Sequence, residues 1–143
     1  MSFDIASLSI NESTVLHLTH PGTGEKLYAD DAKKKPITIT VGSTSSREYR
    51  DYMAGVRNRN LQRQRAAKGR DVIITPAEQL EEGLGLLTAV CFGAENLVYN
   101  GKAVKTSADF RELLDDPKMS WVKEQVDQTV GSVDVFIKES LTH

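Results

Sequence analysis

His17 and His20, three residues apart, are the first side chains whose types and spacing could do chemistry, because His-x-x-His is half of many zinc sites. In an extended segment, however, residues three apart point to opposite faces, and no cysteine pair or third ligand accompanies them to complete the tetrahedral set zinc prefers. Gly93 and Gly101-Lys102 superficially echo a phosphate loop, but the separation is wrong and Ala103 stands where a hydroxyl would hold magnesium. Gly22 and Gly24 follow one expected strand and precede another, so no helix N-terminus is there to receive a phosphate. Cys91 sits in the run Leu86-Leu87-Thr88-Ala89-Val90-Cys91-Phe92 and reads as a small buried hydrophobe. An activated nucleophile needs a base and an orienting group, and His17, His20 and His143 offer no such set. Adjacent carboxylates at Glu81-Glu82 and Asp115-Asp116 diverge on a helix and read as solvated faces. The expectation is a protein without catalytic residue, metal or cofactor.

Charge is the more unusual feature. Residues 1–74 carry 12 basic and 8 acidic side chains, net +4, whereas residues 75–143 carry 6 basic and 12 acidic, net −6. The two parts should attract each other, or two copies of the chain could. Arg57, Arg59, Arg63, Arg65, Lys68 and Arg70 fall in one acid-free stretch. That stretch reads as a solvated helix end, a docking surface for an acidic protein, or a nucleic-acid surface. Nucleic acid ranks last, since the chain's pI is 5.9 and no aromatic lies between Tyr52 and Phe92.

Several elements must position these residues. Val15-Leu16-His17-Leu18-Thr19 predicts a strand, halted by His20-Pro21-Gly22-Thr23-Gly24. A short return strand at Leu27-Tyr28 and the clean alternation of Ile37-Thr38-Ile39-Thr40-Val41 follow. Together they predict a three-stranded antiparallel meander of Thr14–Thr19, Lys26–Ala29 and Pro36–Val41. Ser45 with Glu48 forms a capping-box pattern opening a long helix over 45–67. Its apolar stripe, Tyr49, Tyr52, Met53 and Val56, stops near Arg57, so the first half should pack on the sheet while the second half projects. Thr75-Pro76 opens a helix over 76–91. Leu80, Leu84 and Leu87 line one of its faces, and Gly83 and Gly85 imply close helix approach or bending. Asn100-Gly101 between apolar pairs predicts a hairpin turn. Ser107 then caps a helix over 107–115, and Val122, Val126, Val130, Val133 and Ile137 line a final helix over 118–138 beside Trp121 and Phe136.

The fold class is therefore α+β: a small N-terminal antiparallel β-meander followed by a mainly α-helical C-terminal region. The segments are 1–43 (arm and meander), 44–74 (long basic helix and connector) and 75–143 (acidic helical region). The 143 residues, 39% hydrophobic and 27% charged, exclude collagen-like, strongly disordered and disulfide-stapled classes. No apolar run approaches the ~20 residues that span a bilayer. Met1-Ser2-Phe3-Asp4 lacks a secretory pattern, so an intracellular location is expected.

The order of segments resembles that of the tail assembly chaperones of long-tailed bacteriophages. The likeness rests on Leu16-His17-Leu18-Thr19-His20-Pro21-Gly22-Thr23-Gly24-Glu25, on Pro36-Ile37-Thr38-Ile39-Thr40-Val41 and on Arg57-Asn58-Arg59-Asn60. It continues through Asn100-Gly101, the Phe110/Leu113/Leu114 helix, Asp116-Pro117 and Trp121-Val122-Lys123-Glu124-Gln125-Val126-Asp127, covering roughly residues 14–138. Members of that family range from nearly all-helical to mixed, so the meander stands on its own alternation. The resemblance implies a non-enzymatic role in the host cytoplasm: coating the tape measure protein, keeping it soluble, and helping to recruit tail tube protein around it. It also implies absence from the finished virion and, in many relatives, a longer frameshifted form. Arg57, Arg59, Arg63, Arg65, Leu80, Leu84, Leu87, Trp121, Val122 and Val126 are the partner-binding residues to test, although most of the apolar ones would serve equally as core. A minor tail or connector protein retained in the virion, and a small nucleic-acid-binding regulator, are the alternatives.

Overall fold

The computed structural model of the chain describes residues 5–137. Residues 1–4 and 138–143, with the end of the expected last helix and His143, lie outside the described residues.

The alternating segments form a three-stranded antiparallel sheet, but one of its strands comes from elsewhere in the chain. Strand β1 (Ser13–His17) pairs with β2 (Thr38–Gly42) in the register Val15 to Thr40 and Leu16 to Ile39. The third strand, β3 (Cys91–Glu95), pairs with the other edge of β2, with a register shift between Thr40 and Val41. Lys26–Ala29, expected as the middle strand, contributes only isolated bridges, Thr19 to Lys26 and Tyr28 to Pro36. Ile39 and Val41 on β2 are fully buried and need sheet partners on both sides. Within the 18–37 excursion, Leu18 N donates to Ile37 O (3.0 Å), Ile37 N to Leu27 O (3.1 Å) and Leu27 N to Leu18 O (2.9 Å), a closed ring of backbone bonds. Those groups are thereby used in a three-way junction, and a continuous ladder through Lys26–Ala29 cannot form.

Helix α1 (Arg47–Ala67) starts one residue later than its capping pattern implied. Its cap is the buried Ser46, whose Oγ accepts from Tyr49 N (3.3 Å) and donates to Ser43 O (2.7 Å). Lys68 in the left-handed region ends it. Thr75 caps α2 (Pro76–Val90) by accepting from Glu78 N, with Pro76 in the first turn. Strands β4 (Val98–Tyr99) and β5 (Lys102–Ala103) form the expected hairpin, and Asn100 and Gly101 both have positive φ, as a type I′ turn requires. Helix α3 spans Ser107–Asp115 as read from the pattern, although its cap is Thr106 in a capping box with Asp109, rather than Ser107. Helix α4 is shorter than expected, Ser120–Gly131. A 3₁₀ turn at Pro117–Met119 precedes it, and a second at Val133–Phe136 follows.

Leu84, Leu87 and Val90 of α2, Phe110, Leu113 and Leu114 of α3, and Val122, Val126 and Val130 of α4 meet Ile39 and Val41 in one core. Full burial of each such side chain stabilises by roughly 1.5–3 kcal/mol relative to exposure. Helix α1 buries no residue completely and packs on α2. Of its apolar stripe, Tyr49 reaches the core cluster. At the end of β1, the Gln125 amide of α4 accepts from Thr19 N (3.0 Å) and donates to Thr19 O (2.9 Å). The side chain thus substitutes for a neighbouring strand and ties α4 to the sheet.

Candidate functional site: a groove between two helices and a basic helix face

Helix α2 is engaged on two sides. Leu84, Leu87 and Val90 turn into the core. A second face meets α1: a Cβ on Gly85 would lie 2.8 Å from Cζ of the Tyr52 ring, so only glycine permits this approach. Along the edge of the core-facing stripe the side chains come to the surface: Leu80 is 59% exposed, Gly83 is exposed and Leu86 is half-buried. There the surface sinks into a groove of about 380 Å³ between Gly83, Leu86 and Leu87 of α2 and Ser120, Lys123, Glu124 and Asp127 of α4. A second hollow of about 210 Å³ continues it past Leu80, Leu84, Leu114 and Pro117, and it shares Ser120 and Lys123 with the first. A Cβ on Gly83 would meet nothing within 4 Å. The groove therefore has an apolar side from α2 and a mainly acidic rim of Asp115, Asp116, Glu124 and Asp127, with Lys123 the single cation. Such a surface suits a helix that is apolar on one side and basic at its flanks.

The four arginines expected on one free helix end divide into different roles. Arg63 turns inward: its guanidinium pairs with Glu78 (2.9 Å) and Glu82 (3.2 Å) of α2 and donates to Asn60 Oδ1 (3.0 Å). It belongs to the internal α1–α2 contact, which corrects its assignment to a partner. Arg59 lies with Cζ 5.7 Å from the Tyr52 ring centroid, a cation–π distance. Arg57 and Arg65 are exposed and make no ion pair among the described residues. The α1 half beyond Arg57 does not simply project, because Arg63 holds it against α2 and Asn60 braces the Arg63 guanidinium.

Leu84, Leu87, Val122 and Val126 are buried in the chain's own core, and of these Leu84 and Leu87 reach the groove only as its floor. Leu80 remains on the surface as a wall of the groove. Trp121 is half-buried on another side of α4, in a cleft with Thr19, His20, Pro21 and Gln125. Sequence reasoning missed Gly83, Glu124 and Asp127 as groove residues. The available signal was Gly83 itself, a glycine inside a helical pattern.

Other polar groups hold the scaffold. His17 Nε2 donates to Leu27 O (2.7 Å), with its ring edge-on to Tyr28, and His20 Nδ1 accepts from Gly22 N (2.9 Å) and Thr23 N (3.2 Å). Among the described residues no group of three or more His, Cys, Asp or Glu could hold a metal ion. No helix among them is long and apolar enough to cross a membrane. Burial pushes the Cys91 thiol up to about 12, so at neutral pH it is a thiol rather than a nucleophilic thiolate. The hydrogen bond from Tyr99 Oη to Asp116 (2.5 Å) lowers the Asp116 carboxyl and raises the Tyr99 phenol. It pins the hairpin to the α3–α4 corner beside the groove. Arg111 on α3 bridges to Glu81 on α2 (2.5 Å), lowering the Glu81 carboxyl through that hydrogen bond. Comparison with known proteins gives no match: no family model, curated protein or solved structure corresponds to this chain.

Proposed function

We propose that this protein is a non-enzymatic assembly chaperone of the phage-tail type, which binds helical segments of a tape measure protein and keeps that long chain soluble while tube subunits are recruited. The observation that carries the reading is the α2–α4 groove, whose apolar side and acidic rim are open on the surface beside Gly83 and Leu80. A tape measure is long, helical and partly apolar, so it needs a cover that can later be removed. Many shallow contacts repeated along one filament provide this, because linked weak sites act together while each remains individually reversible. The resemblance of segment order adds the identity of the client.

The test is co-expression of this chain with the tape measure candidate encoded nearby. The wild-type chain should move that protein into the soluble fraction in several copies per client, and Gly83→Met, which fills the groove, should not. A client that stays insoluble with the chain in excess refutes the reading. Recovery of the chain in purified virions would favour the tail or connector alternative instead. DNA binding that falls steeply with salt and depends on Arg57 and Arg65 would favour the regulator.

A further inference from the structure

We propose that, without a client, the groove of one copy is occupied by the outer face of α1 from a second copy, so that the protein associates head to tail. The proposal rests on reading the groove as a helix-docking site. It adds what fills that site and what a client must displace.

Arg57, Leu61 and Arg65 recur at intervals of four on α1, which places them on one stripe. That stripe lies opposite the side on which Tyr52 and Arg63 engage α2. Leu61 is 49% exposed in the middle of this basic surface. A single leucine flanked by arginines one turn away on each side is the chemistry the groove lacks: an apolar knob for the open space at Gly83, and cations for the rim carboxylates Glu124 and Asp127. Dimensions agree as well. At 1.5 Å per residue the stripe from Arg57 to Arg65 is about 12 Å long, and the α2 wall from Leu80 to Leu87 is about 10.5 Å. The stripe faces away from its own α2, so a chain cannot fill its own groove with it. Because knob and groove are different patches, each copy offers one of each, and the contact either propagates from copy to copy or closes where two copies exchange knobs.

The full-length chain tests this in sedimentation experiments at low and high salt. Wild type should associate with concentration, and salt should weaken the association. Leu61→Asp and Gly83→Met should each weaken it at least tenfold while the chain stays folded, since both positions are exposed and Gly83 has free space around it. An equimolar mixture of the two variants should form a 1:1 dimer and stop, because one intact knob meets one intact groove. Arg57→Glu with Arg65→Glu gives a second knob variant, and Glu124→Lys with Asp127→Lys in another chain should restore its binding. A wild type monomeric at every concentration, a variant that associates normally, or a mixture that stays monomeric would each overturn the proposal. Client solubilisation separates this inference from the chaperone reading. Leu61→Asp should retain it, because its groove is intact and vacant. If Gly83→Met loses self-association yet still solubilises the client, head-to-tail docking stands and the groove is not the client's site.

Discussion

Replacing Gly83 and Gly85 separately by Ala should affect stability differently, with a gain at Gly83 only, although both lie in α2 two residues apart. Each substitution gains about 1 kcal/mol of helix propensity. At Gly83 the new methyl meets nothing within 4 Å, so the gain is kept. At Gly85 it would lie 2.8 Å from Tyr52 Cζ and 3.0 Å from Cε2, and nearer still to the phenol oxygen. The ring cannot move without disturbing the Arg59 stack and the α1–α2 contact. Overpacking of this kind costs roughly 1–3 kcal/mol, which leaves Gly85→Ala between neutral and about 2 kcal/mol destabilised. For a chain of 143 residues, about 3–4 °C of Tm corresponds to each kcal/mol. Gly83→Ala should therefore melt several degrees above wild type and Gly85→Ala at or below it. Urea unfolding with unchanged m-values would show that the surface exposed on unfolding is the same, so that the shift in midpoint reports stability. In a Tyr52→Ala background the Gly85→Ala penalty should vanish, which a double-mutant cycle measures. If both glycine variants gain equally in the wild-type background, Gly85 does not set the helix approach and the account of the α1–α2 contact fails.

Two further outcomes follow from the polar contacts. Arg63→Met should lower stability by about 1 kcal/mol, a few degrees of Tm, because it breaks two half-exposed ion pairs and leaves Glu78 and Glu82 without a partner; Arg57→Ala should change stability by less than about 0.5 kcal/mol. Equal melting of the two variants would count against the inward role of Arg63. Asp109 accepts from the backbone N–H groups of Lys105 and Thr106, which lowers its carboxyl below the ordinary 3.8. Its folded value being the lower one, the stabilisation is fully present above about pH 4 and is lost as pH falls through the folded value. Asp109→Asn should flatten the acid limb of the stability curve below pH 4 relative to wild type, and an unchanged limb would refute this.

What was legible in the sequence was whatever depends on neighbours in the chain. Phe110, Leu113 and Leu114 fixed the span of α3, and Asn100-Gly101 fixed the hairpin because that turn needs two residues tolerant of positive φ. Caps were misplaced by one residue where two hydroxyl residues adjoin, Ser45 beside Ser46 and Thr106 beside Ser107, since either side chain can satisfy the first-turn N–H groups. Long-range pairing left little local trace. Cys91–Glu95 contains three apolar side chains and a glycine, and continues a helical pattern, yet it completes the sheet because β2 has a free edge to fill. The hold of Gln125 on Thr19 spans 106 positions and had no signal at all. Within the candidate site, Arg63 looked like its arginine neighbours because helix phase relative to α2 depends on the Tyr52–Gly85 approach.

The charge asymmetry acquires a physical meaning once the internal pairs are assigned. The acids of α2 are consumed within the molecule: Glu78 and Glu82 by Arg63, Glu81 by Arg111. Those pairs use up one arginine of the basic stretch, and Arg57 and Arg65 remain unpaired among the described residues on the outer side of α1. The rim of the groove keeps Glu124 and Asp127 exposed, and neither forms an ion pair among those residues. Surplus cation and surplus anion thus end on two separate faces that cannot reach each other in one chain. Exposed pairs contribute only about 0–1 kcal/mol each, so charge alone would not hold two copies together. An apolar knob entering an apolar groove adds roughly 25 cal/mol per Å² of buried surface, while the charges fix its orientation and disfavour like-to-like contact. Weak, oriented and salt-sensitive association is the behaviour this division of charge favours, and a client offering a longer apolar and basic helix could displace it.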